Sequence, residues 1–295
     1  MWFALSLVTI LFWGGSDLFA KMGTKSDDPY SHWRLVVMVG LVMGIHATVT
    51  MVATGVNFHI RDMLTYLPVS ALYILSMVLG YCGLRYIELS VSSPVCNSSG
   101  AVTALLCFFF LGERITGLQL TAVALISVGL VALGALEQHY SLEQTPIIPS
   151  EKKYHKGLIA FLFPVLYCLI DGMGSALDAY YLENILEESI ANIAYEYTFL
   201  LMAVFAFIYL RFVRKQSFSL RKEKVFALGA LCETAGQFTY IYAMGDNAIV
   251  AAPMIASYSV LSVLLSRLFL KEKLKWPQYA VIAVVMVGVA ILGME

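Results

Sequence analysis

The sequence predicts an all-α integral membrane protein of ten transmembrane helices arranged as two inverted five-helix repeats. Three observations predict it: ten apolar runs of bilayer length, one polar stretch near the midpoint, and a second half that repeats the first in register. The runs lie near 2–22, 32–54, 66–86, 91–111 and 116–136, then near 157–182, 190–212, 225–245, 249–270 and 276–294. Each approaches the roughly 20 residues that a helix needs to cross a hydrocarbon layer. With 60% hydrophobic residues, 13% charged residues and a mean hydropathy of +0.78, the chain lacks the charged surface of a soluble domain. Lipid is therefore its main solvent.

The first run, from Trp2, has neither a basic leader nor a small-residue cleavage site, so it reads as a retained helix and not as a signal peptide. Residues 138–156 are polar, contain Pro146 and Pro149, and join a first repeat (1–137) to a second (157–295). The joints at 86–91 and 245–249 are so short that each must be a tight hairpin. Cys82, Cys96, Cys107, Cys168 and Cys232 all lie in apolar runs, with no C-x-x-C pair and no His at ligand spacing. This argues against structural disulfides and a zinc site. No cofactor is expected, and no basic stripe supports nucleic-acid binding.

Shifting Tyr81–Gly134 by 159 lays it on Tyr240–Gly293 without a gap. Tyr81 then falls on Tyr240, Pro94 on Pro253, Ser98 on Ser257, Glu113 on Glu272, Gln119 on Gln278, and Gly129 on Gly288. Leucine matches mean little in membrane helices, but proline, glutamate, glutamine and tyrosine matches in one register mark a duplication. Because each half has five crossings, the second must insert upside down, with a pseudo-two-fold axis in the membrane plane.

Phe12-Trp13-Gly14-Gly15 in the first segment, Pro94 in the fourth, Gly112-Glu113-Arg114 after it, and Gln119 with spaced glycines in the fifth together resemble the EamA-type transporters of the drug/metabolite transporter superfamily. The resemblance spans both halves, although Lys271 stands where the first half has Gly112. It implies a secondary transporter with a central cavity between the halves, and says nothing of the substrate.

Carboxylates at membrane depth are the first candidates for a site, since one at the centre of a lone helix costs roughly 2.5–3.5 kcal/mol on insertion scales. Asp17 lies in the first segment and Asp171 in the sixth, its counterpart, although the two align only after a five-residue change of register. Tyr167, Asp171, Gly174 and Asp178 share one helix face, as do Glu233, Gln237 and Tyr240 on the eighth segment. Two readings stand side by side: a surface for binding or proton coupling, or polar contacts that glue helices together. Trp13, Tyr73, Tyr81, Tyr167, Tyr240 and Tyr258 could stack on a solute or hold an ammonium group. Asn97, Ser98 and Ser257 follow Pro94 and Pro253 at one-turn spacing and offer neutral hydrogen bonds. The prolines either free a carbonyl toward a cavity or merely kink the helices.

His46 is the one basic group expected at depth, and it reads as a packed polar residue more readily than as a proton relay. Gly40 and Gly44 mark close helix packing. Asn97-Ser98-Ser99 matches a glycosylation sequon that membrane burial makes unusable. Glu113 and Glu272 read as structural.

A cavity with Asp17, Asp171 and Glu233 but no Lys or Arg suits a cationic or zwitterionic metabolite or drug. The leading function is secondary active transport of such a small polar organic solute, with protons as a candidate coupling ion and a homodimer as a candidate assembly. The alternatives are an intramembrane enzyme, for which no G-x-S-x-G, H-E-x-x-H or phosphate-cradling loop appears, and a membrane receptor or scaffold.

Assigning the connections alternately to two sides puts seventeen Lys and Arg on one side and only Arg61 and Arg114 on the other. By the positive-inside rule the first side is cytoplasmic, in an inner or plasma membrane, with both termini outside. Many relatives of the resembling family keep their termini inside, so the charges of this chain depart from that pattern. A C-terminal alkaline phosphatase fusion is accordingly expected to be active and a fluorescent-protein fusion dark; the reverse pair of results overturns the orientation.

Overall fold

The computed structural model describes residues 1–24, 28–112, 114–144, 157–271 and 275–292, all helix, turn or irregular chain with no strand among them. The helices are α1 (Trp2–Gly23), α2 (Ser31–Thr54), α3 (Ile60–Gly83), α4 (Leu89–Asn97), α5 (Ser99–Leu106), α6 (Gly117–Gln144), α7 (Gly157–Asn184), α8 (Glu188–Ile208), α9 (Lys224–Ala256), α10 (Tyr258–Leu265) and α11 (Trp276–Leu292). Wider π-helical turns follow α5, α8 and α10, at Cys107–Leu111, Tyr209–Val213 and Ser266–Leu270. Among the described residues, eight helical stretches are long and apolar enough to cross a membrane, and Trp276–Leu292 is a shorter apolar helix.

The eighth stretch, Lys224–Leu270, has 47 residues, or about 70 Å of helix against a hydrocarbon core of about 30 Å. It is interrupted at Asn247 (φ −163°, ψ 83°). The hairpin expected at 245–249 is thus reduced to a single non-helical residue. Two other boundaries differ from expectation. α3 starts at Ile60 and not near 66, because Asp62 accepts the His59 N–H at 2.8 Å and caps the helix across what reads as a polar loop. α6 runs on to Gln144, through the start of the expected linker. The remaining linker residues, together with Glu113 and Glu272, lie outside the described residues.

The two halves interlock helix by helix. α1 lies on α9, α2 on α8, α3 on α7, and α6 on α11, while α4 and α5 meet α10 and the end of α9. Each pair runs antiparallel. Thr9 bonds Thr239 while Ser16 bonds Glu233; Tyr66 bonds Asp178 while Ser76 bonds Asp171. Close approach is built from glycine: a Cβ on Gly40 would lie 2.5 Å from the Phe199 carbonyl oxygen, and one on Gly44 2.6 Å from Leu200. The outward faces carry Leu105, Phe108, Phe109, Phe110, Val128, Val131, Phe205 and Phe212, all exposed. An apolar surface of that extent suits lipid and not water.

The 159-residue repeat reappears as backbone geometry. α4 gives way to α5 at Ser98, and α9 to α10 at Ser257. The π-helical turns at Cys107–Leu111 and Ser266–Leu270 are counterparts, and each ends on a left-handed residue, Gly112 (φ 69°) or Lys271 (φ 60°). Gln119 accepts the Thr116 N–H at 3.0 Å to start α6, and Gln278 accepts the Lys275 N–H to start α11. Gly129 packs on Val285, and Gly288 on Ile126, each contact the image of the other. The matched Gln and Gly positions are therefore helix starts and helix contacts.

The exchange of halves also relates α1 to α7, with a slightly different offset. Gly14 meets Leu261 as Gly172 meets Val102, and Thr9 meets Thr239 as Tyr167 meets Gly80. Asp17 then corresponds to Ser175 and Asp171 to Trp13, so the two carboxylates are not repeat partners.

A left-handed backbone costs a non-glycine residue roughly 1–2 kcal/mol. Lys271→Gly is expected to stabilise the protein by about 1 kcal/mol, and Gly112→Ala to destabilise it by a similar amount. Thermal unfolding in detergent, followed by circular dichroism, checks both signs.

Candidate substrate cavity

The helices of the two halves leave one polar cavity between them. Its walls come from α1 (Trp13, Asp17), α3 (Tyr73, Tyr81), α4 and α5 (Ser93, Asn97, Ser99), α7 (Tyr167, Asp171, Ser175), α8 (Tyr195), α9 (Glu233, Gln237, Tyr240) and α10 (Tyr258). Its volume is about 80 Å³. Side chains must part to admit an organic solute. Among the described residues, no Lys, Arg or His lines it.

Each carboxylate in this cavity is held by hydroxyl groups. Asp17 Oδ2 accepts from Ser93 at 2.6 Å and Ser262 at 2.7 Å, joining α1 to α4 and α10. Asp171 accepts from Ser76 at 3.2 Å and Ser99 at 2.8 Å. Glu233 Oε2 accepts from Ser16 at 2.8 Å. Trp13 donates from Nε1 to the Glu233 carbonyl at 3.3 Å, and its ring lies 5.0 Å from Tyr240 and 5.5 Å from Tyr258. The Phe12-Trp13-Gly14-Gly15 motif makes this possible. Gly14 seats against Leu261, Gly15 against Cys232, and the Trp13 indole covers Gly236.

The two ends of the cavity differ. At one, the Tyr73 and Tyr240 hydroxyls bond at 2.6 Å and each lies 3.2 Å from Ser175 Oγ. Behind them, outside the cavity lining, Asp178 is wholly buried and accepts from Tyr73 at 3.0 Å and from Tyr66. These contacts seal α3, α7 and α9 together. Toward the other end the lining continues past Tyr81 and Gly80 to Leu84 and Leu89, beside the joint that carries Arg85. There Lys21 Nζ bonds the Leu84 and Ile87 carbonyls at 2.7 and 2.6 Å. Arg34 pairs with Asp28 at 2.7 Å and lies 4.0 Å from Glu223, and Arg214 stacks over Tyr30. The basic joints thus gather at the end to which the cavity extends.

Of the residues singled out from sequence, Trp13, Asp17, Tyr81, Asn97, Tyr167, Asp171, Glu233, Gln237 and Tyr240 line the cavity. Ser98 and Ser257 do not. Each sits where its helix breaks, and Ser98 Oγ turns back to the Pro94 carbonyl at 3.0 Å. Sequence reasoning missed the hydroxyl ring of Ser76, Ser93, Ser99, Ser175 and Ser262. A signal existed in the five serines between positions 90 and 99. It also missed Glu196, which is fully buried and pairs with His46 at 2.8 Å across α2 and α8. His46 stands apart from the cavity, on an outer groove beside Phe12, Val42 and Phe238.

A lipid-facing helical bundle whose interlocked halves enclose a polar cavity at membrane depth has the build of a membrane transporter. The chain belongs to the EamA-like transporter family, whose model matches residues 1–135 and 158–294. An uncharacterized protein of Methanocaldococcus jannaschii is 27% identical over 130 residues, which cover 44% of this chain and 93% of that one. A polypeptide the size of one half therefore exists as a separate chain. A solved crystal structure of a protein shares the fold, with a TM-score of 0.67 and 14% identity over 99% of this chain and 96% of the other.

The seal makes a stability test. Asp178→Leu removes the acceptor of the buried Tyr66 hydroxyl and one of several partners of Tyr73, and is expected to cost about 1–3 kcal/mol, the loss for one stranded hydroxyl. Asp178→Asn keeps an acceptor and is expected to cost less. The loss of monodisperse protein on heating in detergent, followed by size exclusion, ranks the two.

Proposed function

We propose that this protein is a secondary active transporter of a small organic solute bearing a cationic amine, a cation or a zwitterion, with protons able to serve as the coupling ion. One observation carries the proposal: Asp17, Asp171 and Glu233 face a single cavity that no Lys, Arg or His lines. A charge at that depth is costly unless matched. An ammonium group or a proton matches these carboxylates, whereas an organic anion would meet three acids and no base. Trp13, Tyr240 and Tyr258 add aromatic surface of the kind that holds ammonium groups, worth about 0.5–2 kcal/mol per contact.

In this reading the chain crosses the membrane ten times, the stretch Lys224–Leu270 contributing two crossings around Asn247. The halves form an inverted repeat, because helices that are counterparts, α2 with α8 and α6 with α11, run antiparallel. Rocking one half against the other then offers two access states around one site. The basic end of the bundle is the cytoplasmic end in an inner or plasma membrane, and both termini lie outside.

Proteoliposomes decide the matter. Labelled amines are expected to accumulate without chemical change, and organic acids to be excluded. Asp171→Asn and Glu233→Gln are expected to lower uptake at least tenfold at wild-type expression and detergent stability. Full uptake in both variants would leave the carboxylates as helix glue, and conversion of the probe to a product would make the protein an enzyme.

A further inference from the structure

The repeat places one tyrosine of each half at equivalent positions, and their surroundings differ. Tyr240 bonds Tyr73 and Ser175. Its image Tyr81 is equally buried and lines the cavity, yet its hydroxyl has no hydrogen-bond partner. The corresponding partners would be Cys232, a weak acceptor at the Tyr73 position, and Asp17, which Ser93 and Ser262 already engage. One residue more is in the same condition. The side-chain nitrogen of Gln237 is buried and without a partner, one helical turn from Glu233 on the cavity face of α9. Tyr81 lines the same cavity as Glu233 and Asp17.

A buried donor left without a partner costs about 1–3 kcal/mol, and here two such donors share a cavity with the carboxylates. We infer that Tyr81 and Gln237 form a subsite for a neutral hydrogen-bond-accepting oxygen, so that the solute is an amine carrying an alcohol, amide or carbonyl group close to its ammonium centre. The inference rests on the amine reading above and narrows it. Two uncharged donors match the lone pairs of a neutral oxygen. They do not offset a carboxylate, which would enter a cavity lined by three acids and no cation. The structure therefore favours amino alcohols and amino amides over amino acids, and over alkylamines that leave both donors stranded.

The test uses four probes built on one isoamylamine unit, the last three carrying an oxygenated carbon beside the amine: isoamylamine, leucinol, leucinamide and leucine, titrated calorimetrically into the purified full chain in detergent. Leucinol and leucinamide are expected to bind about fivefold to tenfold more tightly than isoamylamine, the worth of one or two net hydrogen bonds, and more tightly than leucine. Tyr81→Phe and Gln237→Leu are each expected to cut the ratio of leucinol to isoamylamine affinity by about fivefold. The wild-type series needs no variant to fold and is decisive by itself. Equal binding of isoamylamine and leucinol, or tighter binding of leucine than of leucinol, overturns the oxygen subsite and leaves the amine reading standing. Variants that weaken all amines in the same proportion also overturn it, since that result makes Tyr81 and Gln237 packing residues. If none of the four probes binds, the amine reading falls as well.

Discussion

A carboxylate at hydrocarbon depth must be partnered, and much of this bundle is arranged to meet that demand without cations. Asp17, Asp171, Asp178 and Glu233 occupy four places in the interior, and the structure meets them with serine and tyrosine hydroxyls from other helices. Each carboxylate thereby becomes a junction. Asp17 ties α1 to α4 and α10, Asp171 ties α7 to α3 and α5, Asp178 ties α7 to α3, and Glu233 ties α9 to α1. The cross-half pairing is thus a polar framework as well as an apolar packing, and glycines at the crossings let the hydroxyls come within reach. In lipid, where apolar contact gives little net drive for helices to associate, hydrogen bonds and small residues are what remain to hold a bundle together.

The duplication decides which of these junctions can be symmetric. The hairpins, the helix breaks at Ser98 and Ser257, the left-handed residues and the glutamine-capped helix starts recur at one offset, because they are backbone features that any copy of the half must build. The interior carboxylates do not recur in this way. Asp171 stands at the place of Trp13, and Ser175 at the place of Asp17. Two halves with one architecture therefore enclose a cavity whose ends are chemically different. One end is sealed by the Tyr73, Tyr240 and Ser175 hydroxyls, and toward the other the lining continues past Tyr81 to Leu84 and Leu89.

The helical segments, the repeat and part of the cavity wall were legible in the sequence because they follow from periodicity and register. Tyr167 and Asp171 on one face, and Glu233, Gln237 and Tyr240 on another, are fixed by helix geometry alone, and both faces do turn inward. What remained hidden depends on contacts between residues far apart in the chain. Nothing local pairs Glu196 with His46, 150 positions away, or sets Tyr66 on Asp178. The capping of α3 by Asp62 made a helix of what read as a loop. Ser98 and Ser257 lie outside the cavity lining, and the Ser98 hydroxyl, near a proline break, bonds back to its own helix, a local alternative that competes with an outward role. The offset between Asp17 and Asp171 was visible as a change of register, but only the contacts of Gly14 and Gly172 show which residues are counterparts.

The choice of hydroxyls over cations as partners has an energetic consequence. A buried carboxylate held by Arg or Lys is locked, because removing one partner from such a pair costs about 3–5 kcal/mol. A hydroxyl bond contributes only about 0.5–1.5 kcal/mol net, and exchanging it for an equivalent bond to an incoming group is nearly neutral. The same holds for the seal, whose closure by Tyr73, Tyr240 and Ser175 rests on neutral hydrogen bonds. Lys21 on the Leu84 and Ile87 carbonyls and Arg34 on Asp28 lie at the end of the bundle, outside the cavity lining. Strong fixed charges thus secure the joints at one face, while the interior is held by bonds weak enough to be traded one for another.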